Sequence, residues 1–230
     1  MNLHDFGDSK LGYVFKDYYC EFKLIHMFFK QVQQHGDNFS YIIADEKTQD
    51  AVVVDSSYNA GEITRTLREK GFHLKYLITT HEHSDHTAGN EELRFNFGAK
   101  TVAHKLSRTK PDLAVQDGDV MLLGAIEIKV IYTPGHTPDG ICLLIDGKKL
   151  LTGDTLFVGN CGRTDMPGGD SATLYYSLFD KLSKLSDNIE VYPGHDYGPR
   201  PRSTIGEERR TNFVLKPRTV QEFVDFMSTP

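Results

Sequence analysis

Residues 80–89 read THEHSDHTAG, directly after the apolar run YLITT at 76–80. His81, His83, Asp85 and His86 crowd one short segment at the mouth of a predicted strand. His81, His83 and Asp85 alternate as side chains do in extended chain, a spacing that a helix would not use. His86 breaks the alternation. If the loop curls, His81 and His83 face one centre and Asp85 and His86 another. That spacing predicts two adjacent metal ions rather than one.

Working outward, three more segments place a metal-loving side chain just after a strand. TPGHTPDG (133–140) puts His136 after a strand at 126–133, LLTGDTLF (150–157) puts Asp154 after one at 149–153, and VYPGHDYG (191–198) puts His195 after one at 189–193. Each sits in glycine-containing backbone, which turns sharply and approaches a site closely. His4, His26, His35, His73 and His104 have no comparable setting and read as surface or core residues. A lone histidine after a strand is more often structural than a ligand. A clustered H-x-H-x-D-H joined by three glycine-flanked strand ends is a different case.

The pattern excludes other chemistries. The zinc-protease signature H-E-x-x-H fails because Asp85 stands where its second histidine belongs, and no G-x-S-x-G elbow or phosphate-cradling loop occurs. Imidazole and carboxylate donors suit Zn(II), Fe(II) or Mn(II), and the lack of cysteine ligands argues against a closed structural zinc. Asp154 is the candidate bridge between two ions. A hydroxide held by two metals is a strong nucleophile near neutral pH, and Asp85 is the candidate catalytic group that orients the attacking water.

The chain of 230 residues, 25% charged and 39% hydrophobic, is of ordinary globular composition. One domain over 24–230 with a short helical C-terminal tail is expected, preceded by an extension over 1–23 that has no clear period. That arm could pack on the body or on a second subunit, so a homodimer stays open. The formal net charge of −6 gives no reason to expect nucleic acid or an anionic membrane as partner. No run approaches the roughly 18 apolar residues of a membrane span, and the N-terminus lacks a secretory pattern. Cys20, Cys142 and Cys161, odd in number and far apart, read as reduced thiols of a cytoplasmic protein.

Strands and helices follow one another after residue 24. FSYIIA (39–44) and AVVVD (51–55) form a predicted hairpin, a helix through Ile63 and Leu67 stops at Gly71, and LKYLITT (74–80) delivers the histidine loop. A helix over 91–98 and a strand over 100–104 come next, then four strands between 119 and 153. Leu174, Leu178, Phe179, Leu182 and Leu185 mark a helical face, and Thr219 with Glu222 forms a predicted capping box. Two sheets back to back with helices outside would accommodate this order.

H-x-H-x-D-H at 81–86, PGHT at 134–137, TGDTLF at 152–157 and PGHDYG at 193–198 together resemble the metallo-β-lactamase superfamily, in the family's order and over most of the chain. The resemblance implies an α/β fold, a four-layer αββα sandwich of two mixed β-sheets flanked by helices. It implies that His81, His83 and His136 bind a first metal, that Asp85, His86 and His195 bind a second, and that Asp154 bridges. The best-known β-lactamases of the family carry cysteine where Asp154 stands. Its nucleases need a large insertion that the chain between Asp154 and His195 has no room for.

Two branches remain. Glyoxalase II enzymes hydrolyse hydroxyacyl-glutathione thioesters with two metals. Persulfide dioxygenases use one Fe(II), held by the equivalents of His81, His136 and Asp154. CGRTD within GNCGRTDMPGGD (159–170) and YPGHDYG lean towards the dioxygenases, whereas GRTD-x-PGGD and STIGEERRTN (203–212) also resemble superfamily hydrolases of undefined substrate. Only about 199–230 is available for the glyoxalase substrate domain.

The expected activity is metal-dependent hydrolysis of a thioester or ester-like bond by metal-bound hydroxide, with two divalent ions, zinc first and iron or manganese open. The alternative is a mononuclear Fe(II) persulfide dioxygenase acting on glutathione persulfide. The substrate is a small molecule, with a glutathione conjugate one option. Arg163 and Tyr197 are candidate substrate-binding residues. Arg163 could instead pair with Asp165, and Tyr197 could simply pack. Thr80, Thr137 and Thr155 are candidate hydrogen-bond partners of the ligands. Cys161 reads as a buried inert thiol more readily than a reactive one. Arg200, Arg202, Arg209 and Arg210 read as solvated surface.

Overall fold

The computed structural model of the protein describes residues 26–228. The expected extension over 1–23, with Cys20, lies outside the described residues. β-Branched and aromatic residues dominate the first strands, β1 (Met27–Gln33), β2 (Phe39–Asp45) and β3 (Asp50–Val54), which form an antiparallel meander. Helix α1 (Ala60–Lys70) ends where Gly71 adopts a left-handed conformation. It leads to β4 (His73–Ile78), which pairs parallel with β3. Helices α2 (Ser84–Thr87) and α3 (Asn90–Phe97) lead to β5 (Lys100–His104) and β6 (Leu113–Val115), which extend the parallel half. The first sheet therefore has the order β1-β2-β3-β4-β5-β6 and is mixed.

The second half begins with the antiparallel strands β7 (Val120–Leu123), β8 (Ile126–Tyr132), β9 (Ile141–Ile145) and β10 (Lys149–Gly153). A small hairpin of β11 (Leu156–Phe157) and β12 (Asn160–Cys161) follows. Helix α4 (Ser171–Tyr176), capped by the Asp170 carboxylate, continues through a wider turn to Lys184 along the predicted apolar face. Strand β13 (Glu190–Pro193) then pairs parallel with β10, and β14 (Ser203–Thr204) closes the edge. Helices α5 (Ile205–Thr211) and α6 (Val220–Met227) end the chain, α6 with the predicted capping box of Thr219 and Glu222.

Both faces of each sheet are covered, so central strands read as continuous apolar runs. Along β2, Tyr41 and Ile43 point between the sheets, where they meet Ile128, Leu143 and Leu151 of the second sheet. Ile42 and Ala44 point outward and pack on Ile63 and Leu67 of α1. On the far side, Cys142, Leu150 and Val191 pack on Leu174, Leu178 and Phe223. The expected four-layer αββα sandwich is present. β6, β11, β12 and β14, two or three residues each, were absent from the sequence reading because such short strands carry no measurable period.

One buried carboxylate clips the two sheets together at the end opposite the histidine loop. Asp45 accepts hydrogen bonds from the backbone N–H groups of Lys47 (2.8 Å), Thr48 (3.2 Å) and, across the sandwich, Ala125 (2.6 Å). Gly124 turns beside it with φ +57°, and a Cβ there would stand 2.7 Å from Asp45 Cγ. Burial opposes ionisation of Asp45, but the three N–H donors outweigh it and lower the carboxyl pKa. A depressed folded-state pKa contributes stability above the unfolded value of about 3.9 and loses it as pH falls through the folded value. Asp45→Ala should lower unfolding free energy by about 1–3 kcal/mol at pH 7, with the deficit shrinking below pH 4. Urea melts at the two pH values check this, and an equal deficit at both would contradict the charged role.

Candidate metal centre

The C-terminal ends of β3, β4, β8, β10 and β13 converge on one rim of the sandwich, so residues from both sheets meet there. The backbone joins the sheets at this point: Ile141 N–H donates to Thr80 O (2.9 Å), and Phe39 N–H donates to Gly194 O (2.8 Å). The histidine loop runs extended to His83, the N-cap of α2, and then makes a helical turn. The turn carries Asp85 and His86 to His195, while the His86 ring stays 4.2 Å from that of His81. The loop thus curls as one branch of the sequence reading required, although its second half is helical rather than extended.

All seven predicted donors come together in two clusters. In the first, His83 Nδ1 stands 3.0 Å from His81 Nε2 and 3.1 Å from His136 Nε2. In the second, His86 Nε2 and His195 Nε2 are 3.3 Å apart, and Asp85 Oδ2 lies 3.4 and 3.3 Å from them. Asp154 stands between the clusters. Its Oδ1 is 3.3 Å from His86, and its Oδ2 is 3.2 Å from His195 and 3.6 Å from His136. These residues form three overlapping groups that could each hold a metal ion.

The donor set fits divalent cations. Ring nitrogens face one another at hydrogen-bond distance. Asp154 Oδ1 is buried and accepts no hydrogen bond among the described residues, although His86 is near. Gly194 lets the chain pass this close, since a Cβ there would meet Asp154 Oδ1 and stand 2.9 Å from His86 Cε1.

The distal ring atoms are held in turn. His136 Nδ1 meets Arg163 O at 2.7 Å and can only donate to it, so its Nε2 lone pair faces the cluster. His86 Nδ1 contacts Asp55 Oδ2 (2.9 Å), and His195 Nδ1 contacts Asp37 Oδ1 (2.9 Å). Asp55 also accepts from Thr80 through N–H (2.8 Å) and Oγ1 (2.7 Å). Thr80 therefore supports the site as expected, lying 3.2 Å from His81 Nδ1. Thr155 Oγ1 bonds instead with Thr133, and Thr137 Oγ1 is buried without a partner among the described residues, so neither fulfils the expected role. The sequence reading did not single out Asp37, Asn38 or Asp55. Asp55 carried the strand-end signal used for the others, following AVVV, whereas Asp37 and Asn38 look like ordinary turn residues.

Charge divides the two clusters. Burial and the charge of His86 push His81 well below the usual histidine range, and burial with His136 lowers His83. Burial also opposes charge on His86 and His195, but carboxylates win there. Asp154 and Asp55 hold His86 well above its usual range, and Asp154 and Asp85 push His195 up to about 10. Burial likewise opposes ionisation of Asp154, yet His86 and His195 hold its carboxyl well below the carboxylate range. Asp85 is lowered in the same way by His195 and His86.

A family profile described as the metallo-beta-lactamase superfamily matches residues 35–195, which spans both clusters. The chain belongs to the metallo-beta-lactamase superfamily. It is 35% identical over 195 residues to the mitochondrial persulfide dioxygenase ETHE1 of Homo sapiens, covering 82% of this chain and 75% of that protein. It is also 35% identical over 165 residues to the hydroxyacylglutathione hydrolase of Pelagibacter ubique, covering 70% of this chain and 67% of that one. The crystal structure of ETHE1 from Myxococcus xanthus superposes with a TM-score of 0.84 at 33% identity, covering 88% of this chain and 90% of that one.

In this superfamily member a cavity of about 410 Å³ opens over the clusters, walled by Phe157, Asn160, Cys161, Arg163, Met166 and Tyr197. Tyr197 is 55% exposed and stacks on the His195 ring, with centroids 4.7 Å apart and planes at 7°. It therefore packs on that ring and also faces the cavity. Arg163 pairs with Asp165 through Nε and Nη2, each 2.5 Å, at the rim. Burial pushes the Cys161 thiol up to about 12, which leaves it a poor nucleophile. Arg200 pairs with Glu207 and Arg209 with Asp187, as suits surface charge. Among the described residues, no helix is long and apolar enough to cross a membrane.

The carboxylates around His86 and His195 favour their imidazolium forms in the metal-free protein, and coordination requires the loss of that added proton. Zinc added to metal-free protein in weak buffer at pH 7 should release at least about one proton per chain. Binding at this cluster should weaken as pH falls, because more protons must then be displaced. Uptake without proton release, followed by an indicator dye, would contradict this charge assignment.

Proposed function

We propose that the protein is a metal-dependent hydrolase with a two-ion site, cleaving a thioester or ester-like bond in a small-molecule substrate. The observation that carries this reading is the position of Asp154, whose two oxygens face nitrogens of both clusters. His81, His83 and His136 would hold one ion, Asp85, His86 and His195 the other, with Asp154 shared. Zinc is the proposed metal, with iron or manganese as alternatives that the same donors accept. When bound, such ions lower the pKa of water and polarise a carbonyl.

The chain's own groups account for the remaining roles. Asp85 borders the cavity, where it would orient the attacking water. Arg163 at the rim would meet an anionic group on the substrate, such as a carboxylate of a glutathione moiety. Tyr197 and Phe157, whose rings meet edge to face at 5.0 Å, would line the leaving-group side and exclude water from it. We place this activity in the cytoplasm, without nucleic acid or membrane as partner.

A second reading has its own support. The match to a persulfide dioxygenase covers more of the chain than the match to a hydroxyacylglutathione hydrolase. His81, His136 and Asp154, all buried, are a 2-His-1-carboxylate set suited to one Fe(II).

The readings part on His83. His83→Ala should cut thioester hydrolysis by about a hundredfold or more if both ions are needed, while sparing part of an iron-only activity. Zinc-loaded protein is assayed with S-acyl glutathiones, and Fe(II)-loaded protein with glutathione persulfide by oxygen uptake. Full hydrolysis by the variant would sink the two-ion mechanism. Rapid oxygen uptake that vanishes in His136→Ala would establish the dioxygenase in its place.

A further inference from the structure

The turn between β1 and β2, QHGDN at 34–38, carries no metal-binding pattern, yet it is stitched to the segment that bears His195. Gln34 N–H donates to Asn38 O (2.8 Å), closing the turn, with Gly36 at φ +80°. Phe39 N–H donates to Gly194 O (2.8 Å) and Asp196 N–H to Asp37 O (2.7 Å), and Asn38 pairs with His195 as an antiparallel bridge. Two side chains of the turn then reach the same cluster. Asp37 Oδ1 lies 2.9 Å from His195 Nδ1, and Asn38 Nδ2 donates to Asp85 Oδ2 at 2.9 Å.

From this geometry we propose that Asp37 and Asn38 are positioning residues for the second cluster, fixing His195 and Asp85 for a cation independently of the first cluster. The inference rests on the two-ion reading. Asp37 can only accept from a protonated Nδ1, so it fixes the tautomer whose Nε2 lone pair points at Asp154 and Asp85, and it raises the basicity of that nitrogen. Asn38 is 5% exposed and holds the Asp85 carboxylate beside His86 and His195. The first cluster depends on other groups: His136 on Arg163 O, and His81 on Thr80. Asp55 and Thr80 link the two clusters, through His86 and His81, whereas the contacts of Asp37 and Asn38 reach the second cluster alone, from a turn at the surface.

The test counts zinc per chain in the full-length protein after dialysis against graded chelator, for native protein, Asp37→Ala, Asn38→Ala and Asp37→Asn. The native protein should hold two ions. Asp37→Ala and Asn38→Ala should keep the tighter ion at native affinity and bind the other about ten- to a hundredfold more weakly. Asp37→Asn, which retains an oxygen acceptor, should recover most of that loss. Unchanged affinity for the second ion in both alanine variants, or equal weakening of both ions, would overturn the proposal. One zinc per native chain would defeat the two-ion reading instead. Nitrogen NMR of the His195 ring then decides the inference: a hydrogen-bonded Nδ1–H present in native protein and lost in Asp37→Ala upholds it, and identical spectra overturn it.

Discussion

Imidazole nitrogens and carboxylate oxygens from four separate chain segments are held within 3.0–3.6 Å of one another in a largely buried pocket. Such groups are costly to desolvate unless charge compensates them. In the metal-free chain, protons on His86 and His195 supply part of the compensation. Cations would supply it more completely, because they satisfy Asp154 Oδ1 as well as the facing nitrogens. The rest of the architecture serves to hold these donors still. Strands are the rigid parts of the sandwich, and the donors follow strand ends in both sheets. A rotamer error at one ligand is thus opposed by a packed core on either side.

Asp55 joins the halves of that arrangement. It directly follows β3, accepts two bonds from Thr80 after β4, and contacts His86 on α2. Thr80 in turn accepts through its carbonyl from Ile141, the first residue of β9 in the other sheet. A chain of hydrogen bonds therefore runs from the first sheet through the ligand loop to the second. Glycine completes it. The Gly194 backbone lies against Asp154 and His86, where any side chain would displace a ligand.

Periodicity made the sandwich legible because both sheets are covered on both faces, which writes long apolar runs into β2, β3, β9 and β10. The candidate ligands stood out for a separate reason: the residue types that bind metals are rare in apolar strands, so their appearance just after one is conspicuous. Asp37 and Asn38 were not legible on either ground. Aspartate and asparagine next to glycine are what any turn prefers, and their partners lie at Asp85 and His195, far along the chain. Only folding brings the turn and the last ligand side by side. The helical turn at Ser84–Thr87 was missed for a related reason, since four residues are too few to show a helical period.

Sharing a donor set does not mean sharing a reaction. Buried His81 and His136 with Asp154 make a compact site that could serve oxygen chemistry with one ion or hydrolysis with two. The second cluster decides which is open, and it differs physically from the first. It contains the more solvent-accessible of the two candidate carboxylates, Asp85, with a side chain 29% exposed, and His195 in it contacts Asp37, half exposed on a surface turn. The cavity wall from Phe157 to Met166 then acts on whichever chemistry the ions permit, by admitting one substrate shape and charge and refusing another. The wall is not separate from the metal donors, because the Arg163 carbonyl holds His136 and Tyr197 stacks on His195, so a change in the wall reaches the donors as well.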